Sequence, residues 1–281
     1  MVRNNLKRKP VLAELVSKSA LITGASSGLG AEFANQLAAS GYNLVLTARR
    51  AERLQQLADS VISRFGVQVS IQPADLSKLT DIDRLVEISK DLSDLELLVN
   101  SAGFGTVGRF HRVEADKVLA MLNVHMVAPV LLCRAVLPGM ILQNRGVIIN
   151  VASLAGLIPI RNVLYHSTKA FLVSFSELLQ SELGESQIRV QALCPGFFLS
   201  EFHDTAEYSR FSRTSVPRFL WMTSTQVVSE SLKSLHHRKV ICIPGFVNRF
   251  AGALSRNSIS AGLIKFAAQY VLRKRKTFTN S

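Results

Sequence analysis

The sequence predicts an α/β fold: one doubly wound parallel sheet with helices on both faces. Three observations carry that expectation. Short, nearly continuous apolar runs recur between residues 20 and 195. Segments with apolar residues at three- and four-residue steps separate them, and a glycine-rich turn follows the first run. Strands that read as unbroken apolar runs are buried on both faces, as a parallel sheet requires. Repeated strand–helix alternation then implies right-handed crossovers.

The expected strands are ALIT (20–23), NLVL (43–46), VSIQ (69–72), LLV (97–99), GVIINV (146–151), IRVQAL (188–193) and a last short one within KVICIPG (239–245). Helical patterns lie between them at 31–40, 51–65 and 78–90. The clearest is AERLQQLADSVISRF, whose Leu54, Leu57, Ala58, Val61 and Phe65 form one stripe. Residues 197–224 lose this rhythm and are rich in aromatics, Ser and Arg, which predicts a substrate lid beyond a strand. A further helix, TQVVSESLKSL, follows. No internal repeat or Pro/Gly-rich linker divides the chain, so a single domain at 19–245 is expected, between an extension at 1–18 and a tail at 246–281.

At 281 residues and 48% apolar content, the chain can bury a large core, and disorder is excluded. Cys133, Cys194 and Cys242 are far apart and lack metal-ligand spacing, which predicts buried thiols in a reducing compartment. No His/Cys/Asp cluster has metal spacing, so no metal is expected. The net charge of +13 sits at the ends. Residues 1–20 carry five Lys/Arg against one acidic residue, and residues 205–281 carry thirteen against two. Between them, fifteen stand against seventeen. This favours either an anionic partner (a membrane surface, an acidic carrier protein or a phosphorylated ligand) or a plain solvated basic face. Residues 258–276, SISAGLIKFAAQYVLRKRK, pattern as an amphipathic basic helix. It suits a membrane interface, an acidic partner, or packing on its own domain or a second subunit. The apolar runs fall short of the ~20 residues that span a bilayer. The start is too broken for a cleaved signal, which leaves a cytoplasmic protein, soluble or peripheral at a membrane. No specific nucleic-acid motif accompanies the charge.

The glycine-rich turn, ALITGASSGLG, follows the first strand and opens the first helix, with Gly24, Gly28 and Gly30 spaced TGxxxGxG. Such a turn lets a pyrophosphate approach the backbone at a helix N-terminus. The second strand ends in TARR. Ala48 stands where a site for NAD would place a carboxylate on the ribose, and Arg49 and Arg50 follow. A guanidinium grips a 2′-phosphate that a carboxylate would repel, so NADP (NADPH) is expected, with Arg49 the first choice. Tyr165 and Lys169 stand one helical turn apart and share a face. A free phenol has a pKa of about 10; an adjacent ammonium favours its ionised form and tunes it for proton transfer.

With these motifs the chain resembles the short-chain dehydrogenases/reductases over roughly residues 19–245. The resemblance implies a Rossmann sheet and hydride exchange between NADP(H) and a carbonyl or alcohol. It implies a catalytic set of Ser153 (in NVASLAG), Tyr165, Lys169 and Asn123 (in MLNVHM). Ser153 would polarise the substrate oxygen, and Asn123 would order a water that reloads the proton. Cofactor contacts are implied for Thr23, Gly24, Ser26, Ser27, Gly28, Leu29 and Gly30 in the first turn, Arg49 and Arg50 after it, and Asp75 and Leu76 in ADLS at the adenine. They are implied too for Asn100, Ala102 and Gly103 in VNSAG, and for Tyr165, Lys169, Pro195, Gly196, Phe198 and Ser200 toward the nicotinamide. Ser101 stands where a second Asn is common, and Ser200 where a threonine is usual. A homo-oligomer and a small-molecule partner, such as a 3-oxoacyl thioester or a long-chain carbonyl, are further implications. The alternative is a dinucleotide-binding sensor or scaffold with little turnover. His125 and His166 read as packing residues rather than catalysts.

Overall fold

The structure is a computed structural model that describes residues 18–106, 108–158, 162–201 and 216–256. Most of the expected N-terminal extension, the middle of the expected lid and the expected tail helix at 258–276 lie outside the described residues. The elements run β1 (Ser19–Thr23), α1 (Gly28–Ala39), β2 (Asn43–Thr47), α2 (Ala51–Phe65), β3 (Val69–Ile71), α3 (Leu79–Lys90), β4 (Leu95–Asn100), α4 (Ala115–Leu122), α5 (Ala128–Leu142), β5 (Gly146–Val151), α6 (Val163–Leu183), β6 (Ile188–Leu193), α7 (Ser224–Ser234), β7 (Ile241–Cys242) and α8 (Phe246–Arg256).

All seven strands pair in parallel, in the order β3-β2-β1-β4-β5-β6-β7. The strand order reverses between β1 and β4. The crevice beyond their carboxyl ends is where a doubly wound sheet receives a ligand. Successive strand residues serve opposite faces. Ala20 and Ile22 of β1 and Leu44 and Leu46 of β2 pack with Phe33, Leu54 and Val227 from α1, α2 and α7. Leu21 and Val45 pack on the other face with Ile82, Leu132 and Val136 from α3 and α5. The continuous apolar runs are therefore two alternating sets, each with its own layer of helices.

Helix α1 starts at Gly28, three residues before the apolar pattern begins, because Gly28 and Gly30 contribute no side chain to that pattern. Helix α2 ends where Gly66 takes a left-handed φ of 67°. Between α4 and α5, residues Asn123–Val127 form a π-helical turn, in which the Ala128 N–H reaches back to the Asn123 carbonyl. Pro129 has no N–H with which to bond the His125 carbonyl four residues earlier, and that favours the wider turn. The whole run Ala115–Leu142 is long and apolar enough by composition to cross a bilayer, which the sequence reading did not anticipate. Half of its most apolar stretch is buried, and Met121, Val124, Leu132, Val136 and Met140 are all interior. The three cysteines are free and buried.

Candidate active site

The loops after β1, β4, β5 and β6 converge at the crevice, and specific side chains tie them together. Thr23, at the end of β1, accepts hydrogen bonds from the N–H groups of Ser101 (2.9 Å) and Ala102 (3.1 Å) through its hydroxyl. It donates to the Val99 carbonyl at 3.4 Å. This brings the glycine-rich turn against the VNSAG turn so closely that a Cβ on Gly24, whose φ is 68°, would lie 2.8 Å from the Ala102 Cα. Gly30 is equally confined, since a Cβ there would run into the Gly24 carbonyl.

The first turn of α1 suits an anion. It carries no acidic residue, and the Ser27 hydroxyl makes no capping bond to the helix. That hydroxyl accepts instead from Arg50 Nη2 at 2.8 Å. Around Gly28 (φ 56°), only the Ser200 Cβ among the described residues comes within 4 Å of a built Cβ, at 3.7 Å. The donor set of backbone N–H groups, two serines and a guanidinium fits a dinucleotide phosphate. Arg50, rather than Arg49, lies over this turn: its Nε and Nη2 also donate to Ser26 Oγ at 3.2 and 3.0 Å. Arg49 faces Asp75. Burial works to raise the Asp75 carboxyl, but hydrogen bonds from Ser77 and the nearby charges of Arg49 and Lys78 outweigh it and leave it below the usual value.

Lys169 is buried in the middle of the pocket. Its Nζ donates to the Val151 carbonyl at 2.8 Å and stands 5.7 Å from the centre of the Tyr165 ring. Burial lowers its pKa to about 8, close to neutral working conditions. The Ser153 hydroxyl accepts from the Ala155 N–H at 3.1 Å. The Leu154 N–H beside it bonds the Pro195 carbonyl at 2.9 Å, pinning the β5 loop to the end of β6. A Cβ on Gly156 would meet the Lys169 carbonyl at 2.7 Å, so the serine loop lies directly on the lysine's helix. Asn162 caps that helix by accepting from the Tyr165 N–H at 3.1 Å.

Two expected residues have side-chain partners of their own. The Asn123 amide donates to the Ser77 carbonyl at 2.8 Å, in the loop after β3. The Asn100 side chain turns into the core and donates to Asn150 Oδ1 at 2.9 Å. Leu29 and Leu76 bury their side chains in the two cores, which leaves only their backbones to face a cofactor. Gly196 packs against Asn248 of α8, and Phe198 forms a bridge with Met222.

His125, two positions after Asn123, packs beside Tyr165. It is fully buried, and its ring centroid is 5.8 Å from that of Tyr165 in an edge-to-face arrangement. Its Nε2 accepts from the Phe104 N–H at 3.0 Å, so Nδ1 carries the proton and donates to Thr168 Oγ1, also at 3.0 Å. The Thr168 hydroxyl in turn donates to the Tyr165 carbonyl at 2.9 Å. Burial, reinforced by the Lys169 charge, holds the His125 pKa well below its ordinary value, so the ring is neutral. It links the VNSAG turn to the catalytic helix. No local signal marks it, because its partners are 21 and 43 residues away.

The family model for short chain dehydrogenases matches residues 18–209, more than half of the chain. The chain belongs to the short-chain dehydrogenase/reductase family. It is 32% identical, over 195 residues, to an NADP-dependent 3-hydroxy acid dehydrogenase of Schizosaccharomyces pombe, covering 68% of this chain and 75% of the relative. It is 32% identical over 181 residues to a very-long-chain 3-oxoacyl-CoA reductase of Anas platyrhynchos, covering 63% of this chain and 58% of that one. Among solved structures, the short-chain dehydrogenase from Sphingobium yanoikuyae in complex with NADPH superposes with a TM-score of 0.76 at 28% identity. The match covers 91% of this chain and 95% of that one. This short-chain dehydrogenase/reductase is therefore an oxidoreductase of carbonyl and alcohol groups that works with a nicotinamide nucleotide.

Proposed function

We propose that the chain is an NADPH-dependent reductase of apolar ketones or aldehydes, with 3-oxoacyl thioesters and long-chain carbonyls the first candidates, and that Tyr165 is its proton donor. The observation that carries the reading is the buried ammonium of Lys169 beside the Tyr165 ring, on the helix that the Ser153 loop packs against. When bound, a reduced nicotinamide nucleotide would supply the hydride. Tyr165 Oη gives its proton to the carbonyl oxygen, forming the alcohol, and Lys169 stabilises the phenolate that remains. Ser153 Oγ, whose acceptor side is engaged by the Ala155 N–H, keeps its own proton for the substrate oxygen.

Arg50 over the serines of the first turn, with no carboxylate at the end of β2, supports NADPH. The apolar substrate class is supported by the exposed Phe197, Leu199 and Phe219 and by the activities of the relatives above. A homo-oligomer fits the exposed Ile141, Leu142 and Leu178 on α5 and α6. The test is NADPH oxidation against ketones, aldehydes and 3-oxoacyl thioesters, with NADH as control. Turnover preferring NADPH and lost by at least about a hundredfold in Tyr165→Phe is expected. Activity unchanged in Tyr165→Phe would overturn the assignment. Tight binding without turnover across the panel would promote a dinucleotide sensor.

A further inference from the structure

We propose that Glu201 is a built-in competitor for the 2′-phosphate of the cofactor, and that Arg53 is a third guanidinium at that subsite beside Arg49 and Arg50. This rests on the NADPH reading above. Arg50 lays its Nε and Nη2 on Ser26 and Ser27, and its remaining arm, Nη1, reaches Glu201 Oε2 at 3.1 Å. Arg53 is three residues further along and therefore on the same face of α2. Its Nη1 donates to both oxygens of the same carboxylate, at 2.6 and 2.7 Å. A carboxylate therefore lies across two guanidiniums at the edge of the turn where the adenosine ribose is expected. Glu201 arrives from a distant part of the chain: Ser200, just before it, sits against Gly28, and the Leu199 N–H is tied to the Met222 carbonyl at 3.0 Å.

The chemistry of this arrangement is that of an anion already in place. Hydrogen bonds from Arg53 and then Arg50 hold the Glu201 carboxyl below its usual range, so it is ionised at neutral pH. The side chains of all three residues are about half exposed, so an incoming phosphate reaches them from solvent. A phosphate monoester carries more charge and one more acceptor oxygen than a carboxylate, so it takes the two arginines, but only by displacing Glu201. A nucleotide with a free 2′-hydroxyl has nothing to exchange. The carboxylate thus subtracts from NADPH affinity alone and narrows the gap between the two cofactors.

Equilibrium titration of the unreacted protein with NADPH and with NADH, by calorimetry and without substrate, tests this. In Glu201→Gln the NADPH Kd is expected to fall about threefold to tenfold while the NADH Kd stays within about twofold. In Arg53→Gln the NADPH Kd is expected to rise about fivefold or more, again with NADH unchanged. An unchanged or weaker NADPH Kd in Glu201→Gln would overturn the competitor role. An unchanged Kd in Arg53→Gln would remove Arg53 from the subsite. Wild-type protein that binds NADPH no more tightly than NADH would instead sink the cofactor reading itself, before either variant is compared. Both positions are exposed, and superimposable thermal unfolding curves establish that the variants fold.

Discussion

Lys169 and His125 are two buried bases with opposite assignments, and their environments explain the difference. Burial lowers the Lys169 pKa only to about 8 and its proton has a partner in the Val151 carbonyl, whereas burial and the Lys169 charge hold His125 neutral. The folded Lys169 releases its proton near pH 8 and the unfolded one near 10.5. Between those values the unfolded chain binds more protons, so stability rises with pH across that window as the cost of burying the charge disappears. Compared with Lys169→Met by urea unfolding at each pH, the wild type should gain roughly 3 kcal/mol between about pH 8 and 10.5. A constant difference would mean that the buried ammonium costs nothing. His125→Leu should destabilise by roughly 2–4 kcal/mol, because it strands the Phe104 N–H and removes the donor to Thr168 Oγ1. Tyr165 and Lys169 were legible in the sequence because one helical turn puts them on one face. His125 was not, since nothing within a turn of it identifies Phe104 or Thr168 as its partners.

Elements were legible where period and burial agree. Each parallel strand was marked by its continuous apolar run, and α2 by its stripe of Leu54, Ala58 and Val61. The wider turn at Asn123–Val127 was not legible, since apolar periodicity marks a helix there without its local pitch. Asn123 was expected from the family resemblance, and its side chain holds the Ser77 carbonyl. The β1–α1 turn makes the sharpest prediction at this scale. Gly24→Ala forces a left-handed φ on a residue with a Cβ and drives that atom onto the Ala102 backbone. It should cost about 2–4 kcal/mol in urea unfolding and weaken dinucleotide binding at least about tenfold. Gly41 also has a positive φ, of 79°, but no atom of the described residues lies within 4 Å of a Cβ built there. Gly41→Ala should therefore cost only the backbone penalty, about 1 kcal/mol.

Among the described residues, the sheet separates the two largest of three buried apolar clusters. Leu54 of α2 belongs to one and Leu132 of α5 to the other, and both are fully buried. Each Leu→Ala change should cost about 2–5 kcal/mol. With the sheet between them, the double variant should equal the sum within about 0.5 kcal/mol, whereas Leu54→Ala with Val61→Ala, in one core, should not. A shortfall beyond that in the cross-sheet pair, measured by urea unfolding, would mean that the two layers relax together. The same architecture sets the order in which the molecule can be made. Thr23 closes on Ser101 and Ala102, Ser153's neighbour Leu154 closes on Pro195, and Arg50 closes on Glu201. A ribosome delivers the phosphate turn before Ser101 and Ala102, its wall, and well before Pro195, which pins the serine loop. A nascent chain that stops short of Pro195 carries a completed motif without a completed site, so cofactor stabilises only chains that extend beyond it.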